Sequence, residues 1–86
     1  MKNFHLQIVT PDGLVYDGEA GQVSVRSIDG DIAILAGHIP YVTALKDGDC
    51  RVYIDDEIKH AHCSGGLLTV TKDDVRLVSS DFEWNE

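Results

Sequence analysis

The chain has 86 residues, 43% hydrophobic and 26% charged, with seven Lys and Arg against fifteen Asp and Glu for a formal net charge of −8. That length holds one modest domain, and no run approaches the roughly 18 apolar residues of a membrane-spanning helix. The basic residues never cluster, which argues against nucleic acid and against adhesion to anionic lipid, and without such an apolar run no direct membrane insertion is expected. A basic or polar protein surface suits this charge better. The opening "MKNFHLQIVTPDG" lacks the apolar core and cleavage site of a signal peptide, so a cytosolic setting is expected. Free thiols at Cys50 and Cys63 are expected with it, rather than a disulfide.

Short alternating runs separated by turn signals fill the chain. "FHLQIV" sets Phe4, Leu6 and Ile8 on one face against His5, Gln7 and Val9. "TPDG" is a turn, and "LVYDG" a short strand ending at Gly18. "GQVSVRSI" alternates Val23 and Val25 against Ser24 and Arg26. "DGDIAIL" opens on Asp29-Gly30, a hairpin signal. "AGHIP" turns into the strand "YVTAL", which "KDGD" closes; "CRVYI", the acidic turn "DDE" and "IKHAHC" follow. "SGG" forms a sharp corner before "LLTVT", and "KDD" leads into "VRLVS". No window carries a helical period. About nine or ten short strands, spaced roughly eight to ten residues apart, predict an all-β flattened sandwich or barrel with mostly antiparallel pairing. Residues 1–80 make that domain. Residues 81–86, in "SDFEWNE", lack strand alternation and are expected to be a tail or the start of a further segment.

Catalytic and metal patterns are sparse. His60 and His62 share a strand face and could reach one metal, but a closed zinc site wants four ligands and Cys63 points the other way. Solvated imidazoles and a small buried thiol are the simpler reading. A Cys63 nucleophile would need an electropositive setting that an acidic chain does not supply. Asp55, Asp56, Glu57, Asp73 and Asp74 fall in turns, where short acidic side chains are ordinary. Ser64–Gly66 is followed by a strand rather than a helix, so it is no phosphate cradle. No cofactor or metal is expected.

Two blocks carry a resemblance. "GDIAILAGHIPYVTAL", Gly30 to Leu45, with Gly48 beyond it, is similar to G-E-L-G-I-L-P-G-H-A-P-L-L-T-x-L-x-x-G. Ser64, Gly65, Gly66, Leu68 and Val70 match S-G-G-x-L-x-V. Both are signatures of the N-terminal β-sandwich of the epsilon subunit of F-type ATP synthase (delta in mitochondria). The resemblance spans about 75 residues, from "FHLQIVTPDG" to "VRLV". Ala33 and Ala36 stand where glycine and proline are usual, and Ile39 and Tyr41 are bulkier than the usual alanine and leucine. The family's C-terminal helical hairpin, which carries inhibition of hydrolysis and in some members ATP binding, is not in these 86 residues, so neither property is assigned.

The resemblance implies a non-catalytic rotor part of the central stalk. It would lie peripherally on the cytoplasmic side of a bacterial plasma membrane and pass ion-driven c-ring rotation to the gamma subunit. It would act on the catalytic alpha/beta head only indirectly. Asp29, Gly30 and Asp31 would face the polar loops of the c-ring. Thr10, Val15, His38, Ile39, Tyr41, Val42 and Thr43 would face gamma. Gly37, Pro40, Gly65 and Gly66 would shape turns. The competing reading is an unrelated β-barrel that binds a metal or ligand through His60 and His62.

Overall fold

The computed structural model describes residues 2–37 and 39–85, and these form ten strands and no helix. In chain order they are β1 (Phe4–Thr10), β2 (Gly13–Ala20), β3 (Gln22–Ser27), β4 (Gly30–Leu35), β5 (Tyr41–Leu45), β6 (Gly48–Ile54), β7 (Glu57–Cys63), β8 (Gly66–Val70), β9 (Asp74–Val78) and β10 (Phe82–Trp84). The expected all-β class, with ten mostly antiparallel strands, is what forms.

Hydrogen bonding runs in the order β10-β7-β6-β3-β5-β8-β9-β1-β2, with β4 on the outer side of β3. The link between β3 and β5 is a single register pair, Ser27↔Leu45. The sheet folds over at that joint, so β4-β3-β6-β7-β10 and β5-β8-β9-β1-β2 become two layers around one core. Leu6, Ile8, Val23, Val52, Leu68 and Leu77, from both layers, have no exposed surface. Each such side chain contributes roughly 1.5–3 kcal/mol of burial. The sequence alternation is thereby explained: residues i and i+2 share the inner face, and their neighbours face out.

One pairing is parallel, β1 with β9, which brings Ile8 beside Leu77. A bulge lies in the β1–β2 ladder: Ile8 pairs Tyr16 and Val9 pairs Leu14, so Val15 is the extra residue. β2 runs past Gly18 to Ala20, two residues beyond the sequence expectation, because Glu19 and Ala20 still find partners in His5 and Phe4.

One turn device recurs. A Ser or Thr hydroxyl at the end of a strand accepts the N–H two or three residues on and donates to a carbonyl close by. It occurs at Thr10, Ser27, Thr71 and Ser79. These bonds satisfy Ser27 and Ser79, which are 1% and 2% exposed. At the β3–β4 hairpin the two turn residues are Ile28 and Asp29, since Ser27 pairs Gly30. The turn thus sits one residue earlier than Asp29-Gly30 suggests, and Gly30 supplies the positive φ of 112° just after it.

Residues 82–84, expected to be free of strand structure, instead pair with β7: Phe82 with Cys63, Glu83 with His62 and Trp84 with Ala61. Phe82 is 7% exposed. Burial of this aromatic and the open edge of β7 outweigh a stretch too short to show a period.

Candidate interaction surface

The outer faces of the two layers differ in chemistry. On the β5-β8-β9-β1-β2 layer, Ala44 pairs Leu67, Leu67 pairs Val78, Val78 pairs Val9 and Val9 pairs Leu14. All five lie on the outward parity of their strands, so an apolar row crosses the layer at one register. Leu14 is 58% exposed, Leu67 52% and Val78 42%. Ile28, 59% exposed, extends the row, because its N–H donates to the Ala44 carbonyl at 3.1 Å. An unbroken apolar band of this kind on an acidic chain is a feature of surfaces that meet other proteins.

The row beside it is mixed: Val42, Thr69, Arg76, Gln7 and Asp17 in register. Arg76 donates to Gln7 Oε1 through Nε at 3.3 Å and a terminal nitrogen at 3.0 Å. The next register is ionic. His5 lies between β2 and β9, with Nε2 on Asp17 and Nδ1 3.0 Å from Asp74. The hydrogen bond to Asp17, then that to Asp74, raises the imidazole pKa above 6.5, and the same bond lowers that of Asp17. The face therefore grades from apolar at the β3–β4 tip to charged at the far end.

The other outer face is mixed: Leu35, Gln22, Tyr53 and Ile58 align in one register, with Leu35 52% and Ile58 51% exposed, and the rest is polar. Asp49, His62 and Glu83 align across β6, β7 and β10, and Arg51 faces His60. His62 Nδ1 is 4.0 Å from Asp49, and Arg26 donates to Asp31 at 3.2 Å. His60 and His62 do share the outward face. Among the described residues, however, no three His, Cys, Asp or Glu side chains converge as a metal-binding group. Cys63 is buried; burial raises its thiol pKa, against a smaller lowering by its hydrogen bond to Ser79. Burial pushes Cys50 up to about 12. Both thiols are thus held protonated, the reverse of what a nucleophile needs.

The residues assigned by resemblance divide into several environments. Ile39 (74% exposed) and Val42 (65%) stand at the surface. Thr10 is half-buried, its hydroxyl occupied in its own turn. Val15 and Tyr41 pack partly against the core. Thr43 is only 5% exposed, so its side chain belongs to the interior parity of β5 and not to the surface. His38 lies outside the described residues. Asp29, Gly30 and Asp31 do share the exposed hairpin tip. Gly37, Gly65 and Gly66 hold φ of 82°, 69° and 119°, as turn glycines should, and Pro40 is exposed between β4 and β5.

Sequence reasoning missed Val9, Leu14, Ile28, Leu67 and Val78. A signal existed in the apolar neighbours Leu67-Leu68 and Leu77-Val78, where one residue of each pair must face out. What could not be read was that these outward residues stand side by side.

The fold has known counterparts. A family model described as "ATP synthase, Delta/Epsilon chain, beta-sandwich domain" matches residues 3–85. The ATP synthase epsilon chain of Bacillus velezensis is 45% identical over 86 residues, covering 100% of this chain and 65% of the relative. That of Alkaliphilus metalliredigens is 41% identical over 83 residues, covering 96% and 62%. The chain thus spans just under two thirds of the length of these relatives. A chain in the cryo-EM structure of Euglena gracilis mitochondrial ATP synthase (OSCP/F1/c-ring) superposes with a TM-score of 0.90 at 20% identity. The match covers 95% of this chain and 53% of that one. A chain of the Tetrahymena thermophila mitochondrial ATP synthase central stalk and c-ring gives 0.79 at 12% identity, covering 94% and 66%. At those identities the two structures speak to the fold.

Proposed function

Because the chain belongs to the ATP synthase delta/epsilon β-sandwich family, we propose that it is a non-catalytic rotor part of an F-type ATP synthase. In this reading it links the c-ring to the gamma subunit during ion-driven ATP synthesis. It lies peripherally on the cytoplasmic side of the membrane and touches the catalytic head only through gamma. The single observation that carries the reading is the family match over residues 3–85, and the apolar row Ala44-Leu67-Val78-Val9-Leu14 offers a face for gamma. Gamma docks on that row, with Val42 and Ile39 as its continuation, and the β3–β4 tip is turned toward the polar loops of the c-ring.

The chemistry supports this division of labour. A rotor part needs stiffness and adhesion. The two-layer core supplies the first through dense packing. The row supplies the second, since apolar side chains already ordered on strands lose little further entropy when covered. The acidic remainder of the molecule steers toward basic partners and sets orientation.

Calorimetric titration of the 86-residue chain with recombinant gamma tests the reading. Binding at or below tens of micromolar is expected, and no heat of binding at that concentration would refute it.

A further inference from the structure

The resemblance assigns Asp29 to the ring-facing tip and Tyr41 to the gamma-facing segment. In the structure the two are bonded to each other. Tyr41 Oη donates to Asp29 Oδ2 at 3.0 Å, and the Thr43 hydroxyl lies 3.5 Å from the same oxygen. The bond joins the β3–β4 turn to β5, alongside backbone bonds from Ile28 N–H to the Ala44 carbonyl and from Lys46 N–H to the Arg26 carbonyl. We infer that Tyr41 is a positioning residue whose hydroxyl, through Asp29, clamps the β3–β4 tip onto β5 so that both contact regions move as one body. The use of this clamp in rotation rests on the rotor reading above.

Three physical points support it. A two-residue turn held only by its own bonds opens at little cost. A phenol half-packed against the core is a stiff strut with few torsions to order. A hydroxyl bond to a carboxylate is roughly twice as strong as one between neutral groups. The clamp also changes what the tip presents. Asp29 is engaged with Tyr41, and Asp31 is paired with Arg26 at 3.2 Å. The most exposed large apolar side chain of the tip is then Ile28, at 59%. The partner loop is met by an apolar side chain flanked by one carboxylate held by neutral hydroxyls and one paired with an arginine.

Amide hydrogen exchange on the 86-residue chain tests the clamp. Tyr41→Phe should speed exchange at Ile28 and Lys46 about five- to tenfold, the loss of one net hydrogen bond, while amides of Leu6 and Leu77 stay unchanged. Asp29→Ala should do at least the same, Asp29→Asn, which keeps a neutral acceptor oxygen, should restore about half of the protection, and the double variant Tyr41→Phe/Asp29→Ala should exchange no faster than Asp29→Ala alone. Unchanged tip exchange in Tyr41→Phe, or additive effects in the double variant, would overturn the clamp. Titration of the wild-type chain with gamma separates the two ideas: absence of binding removes the rotor reading and leaves the exchange result standing.

Discussion

Tyr16 and Trp84 meet edge to face, with ring centroids 6.3 Å apart and planes at 79°. They belong to β2 and β10, the two ends of the strand order. The side of the sandwich that no ladder closes is thus bridged by aromatic contact. Phe82 adds a second edge-to-face pair with Trp84 at 5.1 Å, and the Tyr16 hydroxyl donates to the Glu19 carbonyl at 2.8 Å. Edge-to-face pairs add about 0.5–1.5 kcal/mol beyond area.

That bridge predicts a measurable loss. Trp84→Ala should lower unfolding stability by about 2–3 kcal/mol, less than a fully buried Trp would cost because the ring is only partly buried. Urea denaturation followed by tyrosine fluorescence is the measurement. A midpoint within error of wild type would show that the bridge contributes nothing.

Two glycines with similar backbone should respond very differently to alanine. At Gly66 (φ +119°) an added methyl would lie 1.9 Å from the Val78 carbonyl oxygen, where β8 meets β9; at Gly37 (φ +82°) it would meet nothing within 4 Å. Gly37→Ala should cost about 1–2 kcal/mol, the left-handed penalty alone. Gly66→Ala must also displace a strand, and should cost at least about 4 kcal/mol, comparable with the whole stability of a domain this size. Circular dichroism melts of the two variants compare them directly, and equal losses would contradict the clash.

The His5 bracket sets a pH dependence. Ionised Asp17 and Asp74 only accept, so the imidazolium alone can donate to both at once. Glu19 on β2 also faces His5 across the ladder, and Arg76 follows Asp74 on the outward side of β9. The folded pKa of His5 lies above 6.5. Its stabilisation is therefore fully present below pH 6.5 and is lost as pH rises through the folded value. At the acid end, the lowered pKa of Asp17 keeps its share of stability until pH falls below 3.8 and through its folded value. The urea midpoint should decline as pH rises from 6 to 8, below the range in which the raised thiols of Cys50 and Cys63 add their own loss, and His5→Gln should remove that decline. A decline that persists in His5→Gln would place its origin elsewhere.

Leu67→Glu tests the apolar row without touching the core. Its side chain is half-exposed, so stability should change by less than about 1 kcal/mol. Burying that carboxylate against gamma would weaken binding at least about tenfold. A surface control, Thr69→Glu, one residue pair along β8, should cost less, because its register neighbours Val42 and Arg76 leave room for a polar group. Equal affinity for wild type and Leu67→Glu would remove the row from the interface.

Much of the fold was legible before any coordinates. Leu6 and Ile8, Val23 and Val25, and Leu68 and Val70 announced their buried face by alternation, and the turns at Pro11-Asp12 and Asp55-Asp56 by composition. Strand 82–84 was not legible, since three residues cannot show a period and its stability comes from the β7 edge. Thr43 and Val42 looked alike as surface candidates. Only the side on which the core lay decided that Val42 faces out and Thr43 faces in.

By itself, then, the amino-acid order determined the class of structure, the turns and the family, because backbone dihedral preference and inner-outer alternation are local properties of the chain. The tertiary structure decided which strands are neighbours. That choice aligned five separated apolar residues into one row, placed His5 between two carboxylates, and joined Asp29 to Tyr41. The physical reason is that lateral strand order is set by the burial of all ten strands together, and no short stretch carries that information.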